Sequence, residues 1–128
     1  MAATLCGITV GSYAQITGNE LADKAQQFAE EVFADAVQYT QPQYINLYKN
    51  TLNRFEVIVE APLTGETYPK LSGVSLVDKY NQQLQNDWQS FNPEQFNPMK
   101  YRFNLNAGED VKYRVDNTDY VIVIHPAP

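Results

Sequence analysis

The chain of 128 residues has the length of a single domain, and 44% of its side chains are hydrophobic, enough for a modest core. Nine Lys and Arg against fifteen Asp and Glu give a net charge of −6, which argues against nucleic acid as a partner. One Cys excludes an internal disulfide, and one Cys with one His excludes a Cys/His zinc site. No apolar run approaches the ~20 residues of a transmembrane helix.

The first fourteen residues have two interpretations. Residues 2–10 carry no charge, and Ser12 and Ala14 occupy the small-residue positions of a signal-peptidase site. This pattern predicts export, periplasmic or secreted, with cleavage leaving Gln15 first. The missing basic residues ahead of the apolar stretch, and the alternation over 4–10, favour a first strand and a cytoplasmic protein instead.

The next segment predicts two helices. Thr17 and Glu20 fit a capping box, in which each side chain bonds a free amide of the first turn. Apolar residues then recur at spacings of three and four, which predicts a helix over 19–39. Pro42 marks the start of a second helix, in which the apolar spacing continues to Leu52.

The centre of the chain changes its period twice. Residues 54–60 alternate with period two and predict a strand, whereas the Pro and Gly residues of 61–73 predict a surface loop. Apolar residues over 77–91 return to helical spacing and predict a third helix. The motif Phe-Asn-Pro occurs at 91–93 and again at 96–98, which predicts two successive Asx turns with both rings directed inward.

The last third of the chain predicts an antiparallel meander. Apolar and polar residues alternate over 101–105 and over 111–115, and residues 120–124 are apolar throughout, as in a strand buried on both faces. Helices first and a meander last predict a single α+β domain over 15–128. In this fold, two or three N-terminal and central helices pack on an antiparallel sheet that ends in a three-stranded C-terminal meander.

Alternation in the meander also predicts a basic face of the sheet. If the aromatic residues face the helices, the cations between them face the opposite side. These cations are Lys100, Arg102, Lys112 and Arg114. Such a face predicts a docking site for an acidic protein or an acidic polysaccharide. The alternative is internal neutralisation by Glu56 and Glu60 of the neighbouring strand.

No motif in the sequence supports a particular enzymatic mechanism or a cofactor. The nucleophile-elbow, phosphate-loop and zinc-protease motifs are absent, and His125 has no defined catalytic partner. Acidic residues at the two turns of the meander offer oxygen ligands for calcium, but without the spacing of an EF-hand loop, so no metal site is predicted. These residues are Glu109, Asp110, Asp116 and Asp119.

Two functions remain open at this point. The first is a small, exported, non-enzymatic interaction module that binds another macromolecule. The second is a small-molecule-binding domain or enzyme, with a pocket between helices and sheet lined by Tyr80, Trp88 and His125. A closed pocket with convergent polar groups would favour the second function, and a filled core would favour the first.

Overall fold

The computed structural model describes residues 8–128, in which two α-helices pack on a four-stranded antiparallel sheet. The helices are α1, Gly18–Phe33, and α2, Pro42–Leu52. The strands are β1, Ile8–Ser12; β2, Phe55–Val59; β3, Val111–Arg114; and β4, Tyr120–Ile124. Their order in the sheet is β1-β2-β4-β3, which confirms the predicted α+β class. No helix of the described range has the length and apolar character to cross a membrane.

Helix α1 begins as predicted but ends early. The Thr17 hydroxyl accepts a hydrogen bond of 3.2 Å from the Glu20 amide and so caps the first turn. At the other end, Ala34 has a φ of 48°, in the left-handed region, where an L residue cannot continue a right-handed helix. The helix therefore stops at Phe33, and a short 3-10 helix, Val37–Thr40, leads to α2.

The helix predicted over 77–91 is wrong. This segment is irregular apart from the 3-10 turn Trp88–Ser90. Asn81 accepts a hydrogen bond from the backbone amide two residues further on, and Asn86 does the same. Such local bonds compete with helical hydrogen bonds, so the apolar residues of the segment reach the core from a loop.

Both Phe-Asn-Pro motifs form the predicted Asx turns. Asn92 and Asn97 each accept, at 3.0 Å, a hydrogen bond from the amide two residues further on. Phe96 is buried, and Phe91 packs against it with 5.2 Å between the ring centroids. The buried Asn97 also donates to the Phe28 carbonyl, which joins the second turn to α1.

Strands β3 and β4 form as predicted, whereas residues 101–105 do not join the sheet. Residues 121–124 of β4 are buried on both faces. The outer edge of β3 is occupied by a loop, because the Arg114 amide donates to the Pro69 carbonyl. Tyr101 forms an isolated bridge to Leu76 instead, and residues 102–105 have no strand partner among the described residues.

The core lies mainly on the inner side of the sheet. One cluster packs between the sheet and the loops of residues 71–105, and a second packs between α1 and α2. The outer side carries a smaller cluster of Ile58, Val121 and Val123, against which Tyr68 packs. The loop after β2 thus covers part of the outer face, which explains why β4 is buried on both sides.

Strand β1 pairs with β2 at the edge of the sheet. Directly after it, the Tyr13 hydroxyl donates to the Phe96 carbonyl at 2.7 Å, and the Tyr13 ring meets Phe28 edge to face. The predicted alternation over 4–10 lies partly outside the described residues. Cleavage after Ala14 stays a prediction.

Candidate functional site

The four basic residues predicted to share a face do not lie together. Lys112 and Arg114 lie on the outer face of β3, with their charged groups 5.6 and 6.0 Å from the centre of the Tyr68 ring. Lys100 ends a 3-10 turn, and Arg102 follows it in the extended segment outside the sheet. The continuous basic sheet face is therefore not formed.

Arg114 is neutralised within the fold. Its side chain is only 4% exposed, and its guanidinium donates to both carboxylate oxygens of Glu66, in one case from Nε at 3.0 Å. It also donates to the Glu60 carbonyl at 2.6 Å. The hydrogen bonds between Arg114 and Glu66 lower the pKa of Glu66 and raise the pKa of Arg114. The charge of Arg114 is thus neutralised within the fold, but by Glu66 of a loop, which the alternation of residues in the strands does not identify.

Two further cations have carboxylate partners. Lys100, with a side chain 4% exposed, forms an ion pair with Asp87. The Lys112 ammonium lies 3.8 Å from the Glu60 carboxylate, so Glu60 supplies part of the predicted neutralisation, although β4 lies between β2 and β3. Glu56 does not contribute to it, since it bonds Thr9 and His125. The Lys100 charge is thus used within the fold, and the charge of the 34% exposed Lys112 side chain is partly neutralised.

Arg102 differs from these three cations. It is exposed, and no carboxylate among residues 8–128 lies within ion-pair distance of it. Its Nε donates to the Leu76 carbonyl at 3.3 Å, and its backbone amide donates to the Ser75 carbonyl at 2.9 Å. The side chain is thus anchored at Nε while its two terminal nitrogens remain available.

Arg102 lies at an open groove of about 430 Å³ between α2 and the chain after the second Phe-Asn-Pro motif. Leu47, Tyr48 and Thr51 form the wall on α2, because spacings of three and four place them on one helix face. Met99 belongs to the opposite wall. Of the described residues that line the groove, none is Asp, Glu, His or Cys.

A second pocket, of about 310 Å³, shares Arg102 with the groove. Lys70, Ser75 and Tyr113 are among its lining residues, and Lys70 is exposed. The described residues around this pocket include no carboxylate. Two cations therefore line a pocket that adjoins an apolar groove. Sequence reasoning missed Lys70, because nothing in a predicted surface loop indicates which part of the fold the loop approaches.

Aromatic rings extend the α2 wall of the groove toward the start of that helix. The Tyr48 ring stacks on Phe33 and on Tyr44, with centroid distances of 5.8 and 6.4 Å. The Tyr48 hydroxyl donates to the Tyr39 carbonyl at 2.8 Å, and the Tyr39 ring packs on Tyr80 at 5.2 Å. The groove thus continues into a row of half-buried aromatic side chains.

The three residues of the predicted pocket lie apart. Tyr80 belongs to the aromatic row, and Trp88 packs against the inner core cluster. His125 follows β4 and lies between two carboxylates. None of the three is among the described residues that line the groove.

His125 links two strands instead of facing a cavity. Its Nε2 lies 2.9 Å from Glu56, its Nδ1 lies 2.9 Å from Asp110, and Thr9 donates to the other oxygen of Glu56. The hydrogen bonds to Glu56 and Asp110 raise the pKa of His125, and the hydrogen bond from Thr9 lowers the pKa of Glu56. Both ring nitrogens are engaged by carboxylates, so neither is free to act as a base on a substrate.

The acidic residues of the meander turns have separate contacts. Asp116 accepts hydrogen bonds from the Ser72 amide at 3.0 Å and the Ser72 hydroxyl at 2.6 Å. Asp110 bonds His125, as described above. In the part of the chain that the structure describes, no three His, Cys, Asp or Glu residues are grouped to hold a metal ion.

Comparison of the chain with protein-family models, with curated proteins and with solved structures gave no match. Its function is therefore inferred from the groove, the two cations and the aromatic row.

Proposed function

We propose that this chain is a small non-enzymatic interaction module, which binds another macromolecule through the groove beside α2. The observation that carries the proposal is Leu47, an apolar side chain 57% exposed on the wall of an apolar groove. Exposed apolar residues that cluster at a groove are typical of binding sites.

The chemistry of the lining supports binding over catalysis. General acid–base catalysis needs a titratable group with a pKa near the working pH, most often His, Asp or Glu. The described groove residues offer the hydroxyls of Thr51 and two tyrosines, and one guanidinium. The ring nitrogens of His125, elsewhere in the molecule, are both engaged.

The shape of the site supports a macromolecular partner. The groove is open and continues into the aromatic row, in which tyrosines present large rigid surfaces at a low entropic cost. A partner that extends beyond the groove can contact both. Arg102 supports the predicted preference for an acidic protein or polysaccharide. A volume of about 430 Å³ also suits a small molecule, which keeps the ligand-binding alternative open.

Export forms part of this proposal. The small residues Ser12 and Ala14 and the uncharged stretch before them support a periplasmic or secreted location, with the cytoplasm as the alternative. The intact mass of the protein from its native cells tests this point. We expect a mature chain that begins at Gln15, in which β1 and Tyr13 are removed and β2 becomes the edge strand. A chain that retains Met1 or Ala2 would contradict export by this route.

Affinity capture from the native host tests the binding proposal. The tagged wild-type chain is compared with Leu47→Asp, which puts a charge into the groove wall, and with Leu63→Asp. Leu63 is a matched control, since it is 67% exposed and belongs to the loop after β2. We expect a partner that wild type and Leu63→Asp capture and Leu47→Asp does not. Equal capture by all three would reject the groove as the binding site.

The same preparations separate the two classes of ligand. Mass spectrometry of the captured material identifies proteins, and glycan analysis identifies polysaccharides. A small molecule that is lost only from Leu47→Asp, with no macromolecule captured, would support the ligand-binding alternative instead.

A further inference from the structure

We infer that the segment bound in the groove is an extended acidic and apolar peptide of a partner protein. In it, an Asp or Glu side chain bonds Arg102 and Lys70, and a neighbouring apolar side chain enters the groove. This inference rests on the proposed function and adds the chemistry of the partner.

Arg102 is prepared for a carboxylate by its surroundings. The segment around Ser75 bonds the backbone at Arg102 and just before it, because the Arg102 amide donates to the Ser75 carbonyl and the Val77 amide donates to the Lys100 carbonyl. The hydrogen bond from Nε to Leu76 then orients the guanidinium. Its free terminal nitrogens match the two oxygens of a carboxylate, a geometry that Lys cannot supply alone.

Four of the other cations are used within the fold, whereas Arg102 and Lys70 line one pocket. Lys100, Lys112 and Arg114 have carboxylate partners. Arg54 donates to the carbonyls of Leu105 and His125. Among the described residues, Arg102 and Lys70 share a pocket whose lining contains no acidic group, in a chain of net charge −6. An anion that approaches this acidic molecule is therefore attracted there.

The combination of two cavities selects the kind of partner. Arg102 lines both the apolar groove and the pocket that it shares with Lys70, which we call the cationic pocket. A carboxylate bound to Arg102 therefore lies beside apolar walls. An extended peptide carries acidic and aliphatic side chains at neighbouring positions. An acidic polysaccharide would satisfy the cations but would leave apolar surface such as Leu47 and Met99 without an apolar partner.

Selection from a display library tests the inference. Random nine-residue peptides on phage are selected separately against the immobilised wild-type chain and against three full-length variants. The variants are Arg102→Glu, Leu47→Asp and Lys24→Glu. Lys24→Glu is the charge control, because it changes the net charge equally and Lys24 lines neither the groove nor the cationic pocket. We expect wild type and Lys24→Glu to enrich peptides with an apolar residue beside Asp or Glu.

Affinities measured with one enriched peptide then give the contribution of each contact. We expect Arg102→Glu to weaken binding by about tenfold or more, which corresponds to about 1.4 kcal/mol per factor of ten. Lys70→Ala should weaken peptide binding by a smaller factor. Replacing the acidic residue of the peptide by its amide should weaken binding to the wild-type chain but not to Arg102→Glu. Unchanged melting temperatures show that the variants are folded.

The possible failures are distinct. Enriched peptides without acidic residues that bind Arg102→Glu as well as wild type, but not Leu47→Asp, would overturn this inference and leave the proposed function intact. Peptides that bind Leu47→Asp unchanged would contradict the groove itself. If the wild-type chain enriches no peptide, the inference that a peptide occupies the groove is wrong. The same holds if the chain enriches no peptide but binds a uronic-acid polysaccharide through Arg102.

Discussion

At the scale of single residues, Arg114 and Arg102 show how burial determines the role of a charge. Arg114 is 4% exposed and bonds the Glu66 carboxylate and a backbone carbonyl, so its positive charge is used inside the fold. Arg102 is exposed and has one hydrogen bond that orients it. The first residue therefore contributes to stability and the second is available to a partner.

Replacing these two arginines in turn tests that distinction. Arg114→Ala leaves the Glu66 carboxylate without its partner, and we expect it to lower the free energy of unfolding by about 3 kcal/mol, as for a broken buried pair. Arg102→Ala should change it by no more than about 0.5 kcal/mol. Chemical denaturation measures both, and similar losses in the two variants would contradict the assignment.

The ion pairs of His125 predict a pH dependence of stability. The folded state raises the pKa of His125 above 6.5, so its contribution is fully present below about pH 6.5 and is lost as the pH rises through the folded value. The ring is 43% exposed, so solvent screening limits the effect to under about 1 kcal/mol.

We expect the unfolding free energy of wild type to fall as the pH rises above about 6.5, relative to that of His125→Gln. Glu56 acts in the opposite direction, since its lowered pKa gives a contribution that is lost only in acid, below about pH 4.5. Denaturation curves of both chains over pH 4 to 8 measure the difference. A constant difference over that range would show that the ion pairs do not affect stability.

At the scale of elements, a periodic pattern predicts structure only where local hydrogen bonds do not oppose it. The stripes of α1 and α2 and the alternation of β2 predict that these elements exist, because each buries apolar side chains against the rest of the molecule, although α1 ends earlier than predicted. Residues 77–91 carry a similar helical stripe, yet Asn81 and Asn86 bond the nearby backbone and prevent the helix. Periodicity thus indicates which residues are buried, whereas the hydrogen bonds of local side chains determine whether the backbone is helical.

Asn86 provides a test of this explanation. Its side chain donates to the Leu71 carbonyl at 2.8 Å and accepts from the Trp88 amide, so Asn86→Ala should cost about 1–3 kcal/mol of stability. Gln85→Ala, at an exposed neighbouring position, should be nearly silent. Thermal or chemical denaturation measures the loss, and an Asn86→Ala variant of full stability would show that these bonds do not hold the loop.

The central strand gives a second prediction at this scale. Ile122 of β4 is fully buried, and Ile122→Ala should lower the free energy of unfolding by roughly 2–5 kcal/mol because it leaves a cavity. Lys24→Ala, on the polar side of α1, should change it by less than about 0.5 kcal/mol. Equal losses in a denaturant series would mean that the core does not centre on β4.

At the scale of the whole molecule, the site depends on contacts between segments that lie far apart in the chain. Alternation identified Arg102 as a candidate, but the neutralisation of Arg114 by Glu66 depends on the path of a loop. Likewise, Lys70 lines the same pocket as Arg102 only because the loop after β2 runs along β3. The groove exists because α2 and the chain after the second Asx turn leave a space between them. None of these relations has a local signal in the sequence.

Binding of a partner in the groove beside α2, next to Arg102, can be tested on the protein itself. The most direct measurement is a titration of the isotope-labelled 14.5-kDa chain with an enriched peptide, followed by the backbone amide shifts in NMR spectra. We expect the largest shifts at residues 47–51 and 99–105, with smaller shifts near Lys70. Shifts concentrated instead on the outer face of the sheet, around Lys112, would contradict binding in the groove.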